Sequence, residues 1–173
     1  MITFHVEHIN TIWDEIYPLA ARHAQESRPT EPFLPSRERY TRYAECGYYH
    51  IVTARDAGRL VGYFGFYLAP SMHSQRLHIS GDSLYLDPSV RGGRTALRLI
   101  RYVEQYVHHL PTREYDWCKI TLTVDPIMHR AAKRLLHHLD YRPDCVQYSK
   151  RLLLPTGANS TMTSAVGTHA LTT

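Results

Sequence analysis

The chain has 173 residues, 43% of them apolar and 21% charged, which excludes an intrinsically disordered chain and leaves enough length for one domain with its own core. A formal charge of +4 and an isoelectric point of about 9.0 are too mild to argue for nucleic acid and suit a small anionic ligand equally well. Three scattered cysteines, Cys46, Cys118 and Cys145, never form a Cys-x-x-Cys pair, which argues against a disulfide framework and for a reducing compartment.

Ile2, Phe4 and Val6 alternate with Thr3, His5 and Glu7, which predicts a first strand. Ile9, Ile12, Trp13, Ile16, Leu19 and Ala20 then recur at helical spacing. They predict a helix that starts at His8 or Asn10 and runs to about Gln25, with Pro18 as an irregularity. Three prolines in residues 26–36 exclude regular structure there. Ser36 is placed to cap a short helix with Tyr40, Tyr43 and Ala44 on its apolar side and Gly47 at its end. Residues 49–54 and 60–68 are β-rich runs joined by the hairpin connection Arg55-Asp56-Ala57-Gly58-Arg59. Residues 69–75 read as a loop and 78–86 as the next strand, with Gly81 marking a bulge or a close backbone approach.

A helix over residues 95–109 is expected to bury Leu97, Ile100, Val103, Val107 and Leu110. Residues 118–124 alternate as a strand, 128–139 form a second amphipathic helix, and 146–153 give a last strand. Residues 156–173 carry no charge and no apolar period, so a domain over residues 1–154 followed by a disordered low-complexity tail over 155–173 is expected. The order β-α-α-β-β-β-α-β-α-β has more strands than crossover helices. The fold class is therefore α/β, a central mixed sheet flanked by helices.

Residues 82–100 are the chemical centre of the chain. Leu84-Tyr85-Leu86 is an apolar strand end, Asp87-Pro88 stops it, the turn Arg91-Gly92-Gly93-Arg94 follows, and Thr95-Ala96 opens a helix. Unpartnered N–H groups at a helix start, with the helix dipole behind them, favour an anion. Arg91 and Arg94 add forked donors suited to phosphate.

The run Leu86-x-Pro88-x-x-Arg91-Gly92-x-x-x-Ala96 resembles the acetyl-CoA signature of the GNAT N-acetyltransferase family, Arg/Gln-x-x-Gly-x-Gly/Ala at a strand-to-helix turn. Ala132-x-x-Leu135-x-x-x-Leu139-Asp140-Tyr141 resembles the end of that family's fourth helix. Gln147-Tyr148-Ser149-Lys150-Arg151-Leu152 is similar to the final strand of its phage-encoded branch, and the element order matches over roughly residues 2–153. The resemblance implies a GNAT-like acyl-CoA N-acyltransferase fold, with acetyl-CoA as the acyl-donor substrate. It implies pantetheine along the free edge of Leu84, Tyr85 and Leu86, and pyrophosphate on the turn built from Arg91, Gly92, Gly93, Arg94, Thr95 and Ala96. Arg94 stands where the family usually has glycine, and Leu136 where many members have a general-acid tyrosine. His129 takes the place of a cofactor-facing asparagine, and Asp140 that of a glycine.

Acyl transfer from a thioester to an amine needs a polarised carbonyl, a base for the amine and a proton for the thiolate. Asp82 is the favoured base: by the family comparison it matches the offset of a substrate-contacting glutamate in aminoglycoside-type members. A strand-end residue bonded to nearby backbone is its structural alternative. His78 is the second candidate, at an offset similar to the glutamate of histone-acetylating members, against the alternative of an ordinary strand histidine. His129 is the third, for leaving-group protonation or cofactor contact, against that of an exposed helix start. Tyr85 and Tyr148 stay open as phenolic proton donors. The adjacent pairs His108-His109 and His137-His138 diverge by about 100° on a helix, and no His-x-x-x-His spacing carries a glutamate, so no metal site is expected.

Residues 26–36 and 69–76 are expected to flank the acceptor mouth. Glu26, Glu31, Glu38 and Glu45 interleave with Arg28, Arg37, Arg39 and Arg42, which does not choose between a polyamine, an aminoglycoside, a peptide amine and a lysine side chain. Phe33 and Leu34 read either as an apolar lid or as ordinary packing. The leading reading is an N-acetyltransferase that passes an acetyl group directly from acetyl-CoA to a primary amine of a small molecule or protein, with general-base assistance. The alternative is a catalytically silent acyl-CoA-binding or protein-interaction domain of the same fold. A nucleic-acid partner is disfavoured by the lack of a motif or basic stripe. The absence of a signal-peptide core and of a membrane-length apolar run points to the cytoplasm, a host's if the chain is phage-encoded, and to no membrane partner. A homodimer through residues 146–153 is left open.

Overall fold

The apolar run at residues 60–68 lies in the middle of the five strands found among the described residues, which is why it does not alternate: both of its faces are covered. The structure is a computed structural model and describes residues 1–73, 76–92, 94–110, 117–122 and 129–143. The sheet runs β1 (Ile2–Val6), β2 (Tyr49–Asp56), β3 (Arg59–Pro70), β4 (Arg76–Leu86) and β5 (Trp117–Thr121), side by side in chain order. Neighbours are antiparallel except β4 and β5, which are parallel. This is the mixed sheet expected from the element order.

Helices α1 (Trp13–Ser27) and α2 (Arg37–Glu45) go with one face of the sheet, and α3 (Thr95–His108) and α4 (His129–His138) with the other. The first face buries Ile12, Ile16 and Leu19 against Ile51, Leu60, Tyr63 and Tyr85. The second buries Val52, Val61, Phe64, Phe66 and Ile79 against Leu99, Ile100, Val103 and Val107, with Leu135, Leu136 and Leu139 of α4 packed beside them. Among the described residues, no helix is long and apolar enough to cross a membrane.

Several boundaries differ from the sequence expectation for local reasons. Neither His8 nor Asn10 caps α1. The His8 carbonyl accepts from both the Thr11 N–H and the Thr11 hydroxyl, which makes a separate turn, and the helix starts only at Trp13 without a side-chain cap. Asn10 is used by Arg37 instead, through Nε to the amide oxygen at 2.9 Å. Ser36 does cap α2, accepting from the Arg39 N–H at 3.2 Å. At the other end Gly47, at φ 72°, turns the chain left-handed, so that Gly47 N–H bonds to Ala44 and Tyr48 N–H to Tyr43. The hairpin turn is tighter than expected: only Ala57 and Gly58 lie outside the strands, both at positive φ. The loop expected at residues 69–75 is shorter, because β3 reaches Pro70 and β4 begins at Arg76. In α3 it is Leu99, not Leu97, that is fully buried, and Thr95 joins it. Residues 146–153 and 155–173 lie outside the described residues.

Phe64 is fully buried between the sheet and α3. Truncating a phenyl ring there removes its transfer energy and leaves a cavity, so Phe64→Ala should cost about 3–5 kcal/mol, read as a lower urea midpoint with an unchanged slope.

Candidate active site

The ladder between β3 and β4 slips by one residue in its middle. Gly65 faces Ser83 and Phe66 faces Gly81, so Asp82 is the unopposed residue of a β-bulge. The slip exchanges the faces of the strand: Ile79 belongs to the α3 side, but past the bulge it is Leu84 and Leu86 that pack there, while Tyr85 turns to the α1 side. Gly81 permits the slip. A Cβ there would stand 2.9 Å from the Leu122 side chain and 3.3 Å from the Thr121 carbonyl.

Asp82 is thereby delivered to a cup of phenols. Tyr40 of α2 and Tyr49 of β2 each donate a hydroxyl to Asp82 Oδ2 at 3.4 Å. Tyr49 reaches it because Gly65 has no side chain: a Cβ on Gly65 would lie 2.1 Å from the Tyr49 oxygen. The rings of Tyr40 and Tyr67 pack edge-on against Tyr49, at 4.9 and 5.2 Å. Asp82 keeps an exposed side, yet burial among these rings raises its carboxyl above the usual range. Burial thus outweighs the hydrogen bonds from Tyr49 and Tyr40, the charge of Arg28 and the bond from Ser83. Burial and the Asp82 charge in turn push the phenols of Tyr40 and Tyr49 up, so both remain neutral donors.

The other half of the site is the end of β4. The described pairing with β5 covers only Arg76 to Ser80, opposite Trp117 to Thr121. No β5 partner in the described ladder stands opposite residues 82–86, and a strand edge without a partner offers N–H and C=O groups to an extended ligand. Asp87 closes the strand: it caps the following turn by accepting from the Ser89 N–H and hydroxyl, and it pairs with Arg22 of α1 at 3.1 Å. Gly92 follows at φ 89°, with no atom within 4 Å of where a side chain would begin. Arg94 stands at the N-cap of α3 and its side chain caps nothing. The first N–H groups of α3 are therefore left without a side-chain acceptor, in contrast to those of α2. A pyrophosphate fits such a set of donors.

The sequence candidates divide accordingly. Asp82, Leu84, Tyr85, Leu86, Arg91, Gly92, Arg94, Thr95 and Ala96 all fall on this one bulge, edge and turn. His78 does not join Asp82: it lies four residues back along β4, exposed, paired in register with Ala69 and Lys119. His129 opens α4, and its side chain, like Gly93 and Tyr148, lies outside the described residues. Arg91 is placed differently from expectation. It turns back toward α1, donating Nε to the Leu86 carbonyl at 2.7 Å and an amino group to Glu26 at 2.7 Å, with its guanidinium 5.0 Å over the Tyr85 ring. Glu26 also accepts from the Tyr85 hydroxyl at 3.0 Å. Burial would raise the Glu26 carboxyl, but the bonds from Arg91 and Tyr85 outweigh it and hold it below the usual range. Glu26 is thus committed to the turn rather than to an acceptor. Phe33 packs on Tyr17 at 5.6 Å, which is ordinary packing, whereas Leu34 stays 85% exposed. Tyr40, Tyr49 and Tyr67 carried no signal along the chain, because α2, β2 and β3 bring them together only in the fold.

A family model described as "Acetyltransferase (GNAT) family" matches residues 13–141. No curated protein matches the chain. Among solved structures, a ribosomal-protein-alanine N-acetyltransferase from Brucella melitensis biovar Abortus 2308 superposes with a TM-score of 0.64 at 20% identity, over 88% of this chain and 100% of that one. An aminoglycoside acetyltransferase from an uncultured soil metagenomic sample, in complex with sisomicin, gives a TM-score of 0.71 at 11% identity, over 88% and 97%. A predicted acetyltransferase from Clostridium acetobutylicum, with acetyl-CoA, gives 0.61 at 12% identity, over 87% and 96%.

A carboxyl raised by the fold destabilises the fold when it ionises. That penalty is absent below the ordinary aspartate pKa of about 3.9, grows as pH rises toward the raised folded value, and is complete above it. Asp82→Asn should therefore melt at a higher temperature than the wild type at pH 7. The difference should close as the pH falls below about 4, followed by calorimetry across a pH series.

Proposed function

The chain belongs to the acetyltransferase (GNAT) family, and we propose that it transfers an acetyl group from acetyl-CoA to a primary amine that is received and deprotonated by Asp82. The observation that carries this reading is the bulged Asp82 itself, a carboxylate with a raised pKa set beside the end of β4, whose outer edge has no partner among the described residues. An ammonium titrates about six units above an ordinary carboxylate, so proton transfer to Asp82 is uphill, and raising the Asp82 pKa narrows the gap. The long bonds from Tyr40 and Tyr49 are compatible with this: at 3.4 Å they are weak enough for an ammonium to compete for the same oxygen, Oδ2.

In this reading the edge of Leu84, Tyr85 and Leu86 holds the pantetheine arm, and Gly92, Arg94, Thr95 and Ala96 receive the pyrophosphate. Asp82 takes one proton from the bound ammonium. The amine nitrogen forms a bond to the acetyl carbon as the C–S bond breaks. The nitrogen gives up its second proton, the thiolate leaves and takes up a proton, and the net products are the acetamide, free CoA and one proton. No phenol stands at Leu136, which packs against the α3 side of the sheet. That favours thiolate departure with protonation by another group, or by solvent. The same residue supports the second reading, an acyl-CoA-binding domain without turnover. The scattered cysteines support a reducing cytoplasm, and the likeness of residues 147–152 supports a phage-encoded branch.

Release of free CoA against an amine panel tests the first reading. Asp82→Asn should lower kcat/KM by about 10²–10⁴-fold and abolish the carboxylate limb of its pH profile, with acetyl-CoA affinity by calorimetric titration unchanged. Binding of acetyl-CoA with no turnover of any amine would select the second reading.

A further inference from the structure

Next to the Tyr40 phenol that bonds Asp82, the fold leaves an open cavity of about 420 Å³ whose walls include Leu34, Arg39, Tyr40, Tyr43 and Tyr67. A carboxylate stands behind one wall and a guanidinium lines another. At one end the Tyr40 phenol leads directly to Asp82 through their hydrogen bond. At the other stands Arg39, whose guanidinium has no hydrogen bond or ion pair among the described residues, although α2 around it is rich in both signs. Tyr67 lies within reach of both charges: after burial, the Asp82 charge raises its phenol and the Arg39 charge lowers it. Between the ends the walls are tyrosine rings, with Tyr43 edge-on to Tyr67 at 6.2 Å.

Resting on the reading that Asp82 receives the acceptor amine, we propose that the acceptor is a small zwitterion. Its primary amine faces Asp82, its carboxylate is held by the Arg39 guanidinium, and a flat or apolar body lies between the tyrosines. A polycation matches the Asp82 end but meets an uncompensated arginine at the other, and like charges brought together disfavour it. An amine without a carboxylate leaves Arg39 unpaired. A guanidinium and a carboxylate form a forked, charge-assisted pair, and the rings suit an apolar or aromatic body. The Arg28 charge also acts on Asp82, but Arg39 is the guanidinium that lines the cavity.

The test is CoA release by the full chain with phenylalanine, tyrosine, leucine and methionine, each beside its amide, with spermidine and kanamycin as polycations. The acids should be acetylated with kcat/KM at least about tenfold above their amides, the loss expected for one hydrogen-bonded charge partner. In Arg39→Gln that ratio should fall to near one, and in Arg39→Lys it should be partly restored. Amides turned over as well as acids, an acid preference that survives Arg39→Gln, or turnover of spermidine or kanamycin alone would each overturn the zwitterion and leave acetyl transfer at Asp82 standing. Binding of acetyl-CoA with no turnover of any of these amines would overturn both.

Discussion

One slipped residue in the ladder between β3 and β4 decides where everything else in the site sits. A regular β4 would keep residues 79, 81, 83 and 85 on one face. With Asp82 extruded, Ile79 and Leu86 share the α3 core while Tyr85 crosses to the α1 side. The carboxylate is held at the point where the strand changes faces, and the described pairing with β5 ends two residues before it. The Asp82 carboxylate and the outer edge of β4 beyond the described β5 pairing are therefore one feature of the backbone. Gly81 and Gly65 are its conditions: the first gives room for the end of β5, the second for the Tyr49 phenol that reaches Asp82.

Around that point the fold spends its charged groups on geometry before chemistry. Arg22 and Asp87 tie α1 to the end of β4, and Glu26 ties α1 to the turn through Arg91 and Tyr85. On the far edge Arg55 is gripped by Glu7 and Glu15, and Thr53 donates to the same Glu7 carboxylate. Burial pulls the Glu7 carboxyl up, but those bonds more than reverse it. The Arg91–Glu26 pair, exposed on both sides, contributes little by itself, about 0–1 kcal/mol. The value of these pairs lies in where they hold α1, whose apolar side covers Tyr63 and Tyr85.

Much of this was legible along the chain because it is local. Alternation marked β1 and a β-rich run marked β2, Ser36 and Gly47 bracketed α2, Asp87-Pro88 marked the end of β4, and Gly81 announced a bulge or close approach. Asp82 was singled out by the family comparison alone, which places a glutamate at its offset from the glycine turn. What the chain could not reveal was assembled across elements. Tyr40, Tyr49 and Tyr67 come from three elements, and an edge-on ring has no periodicity to announce it. The Arg91 side chain shows the same limit: its fork suits phosphate in isolation, and only the fold shows Glu26 and the Leu86 carbonyl engaging it.

That engagement changes how the turn handles charge. Arg91 is bonded to a carboxylate and a carbonyl and lies over an aromatic face, so a pyrophosphate would have to break existing contacts to recruit it. Among the described residues Arg94 carries no such contacts, and its side chain makes no cap bond to the opening N–H groups of α3. Arg94 stands where the family pattern carries glycine, and there it adds positive charge at the helix start. The Arg91 side chain builds the turn, whereas that of Arg94 has no partner among the described residues.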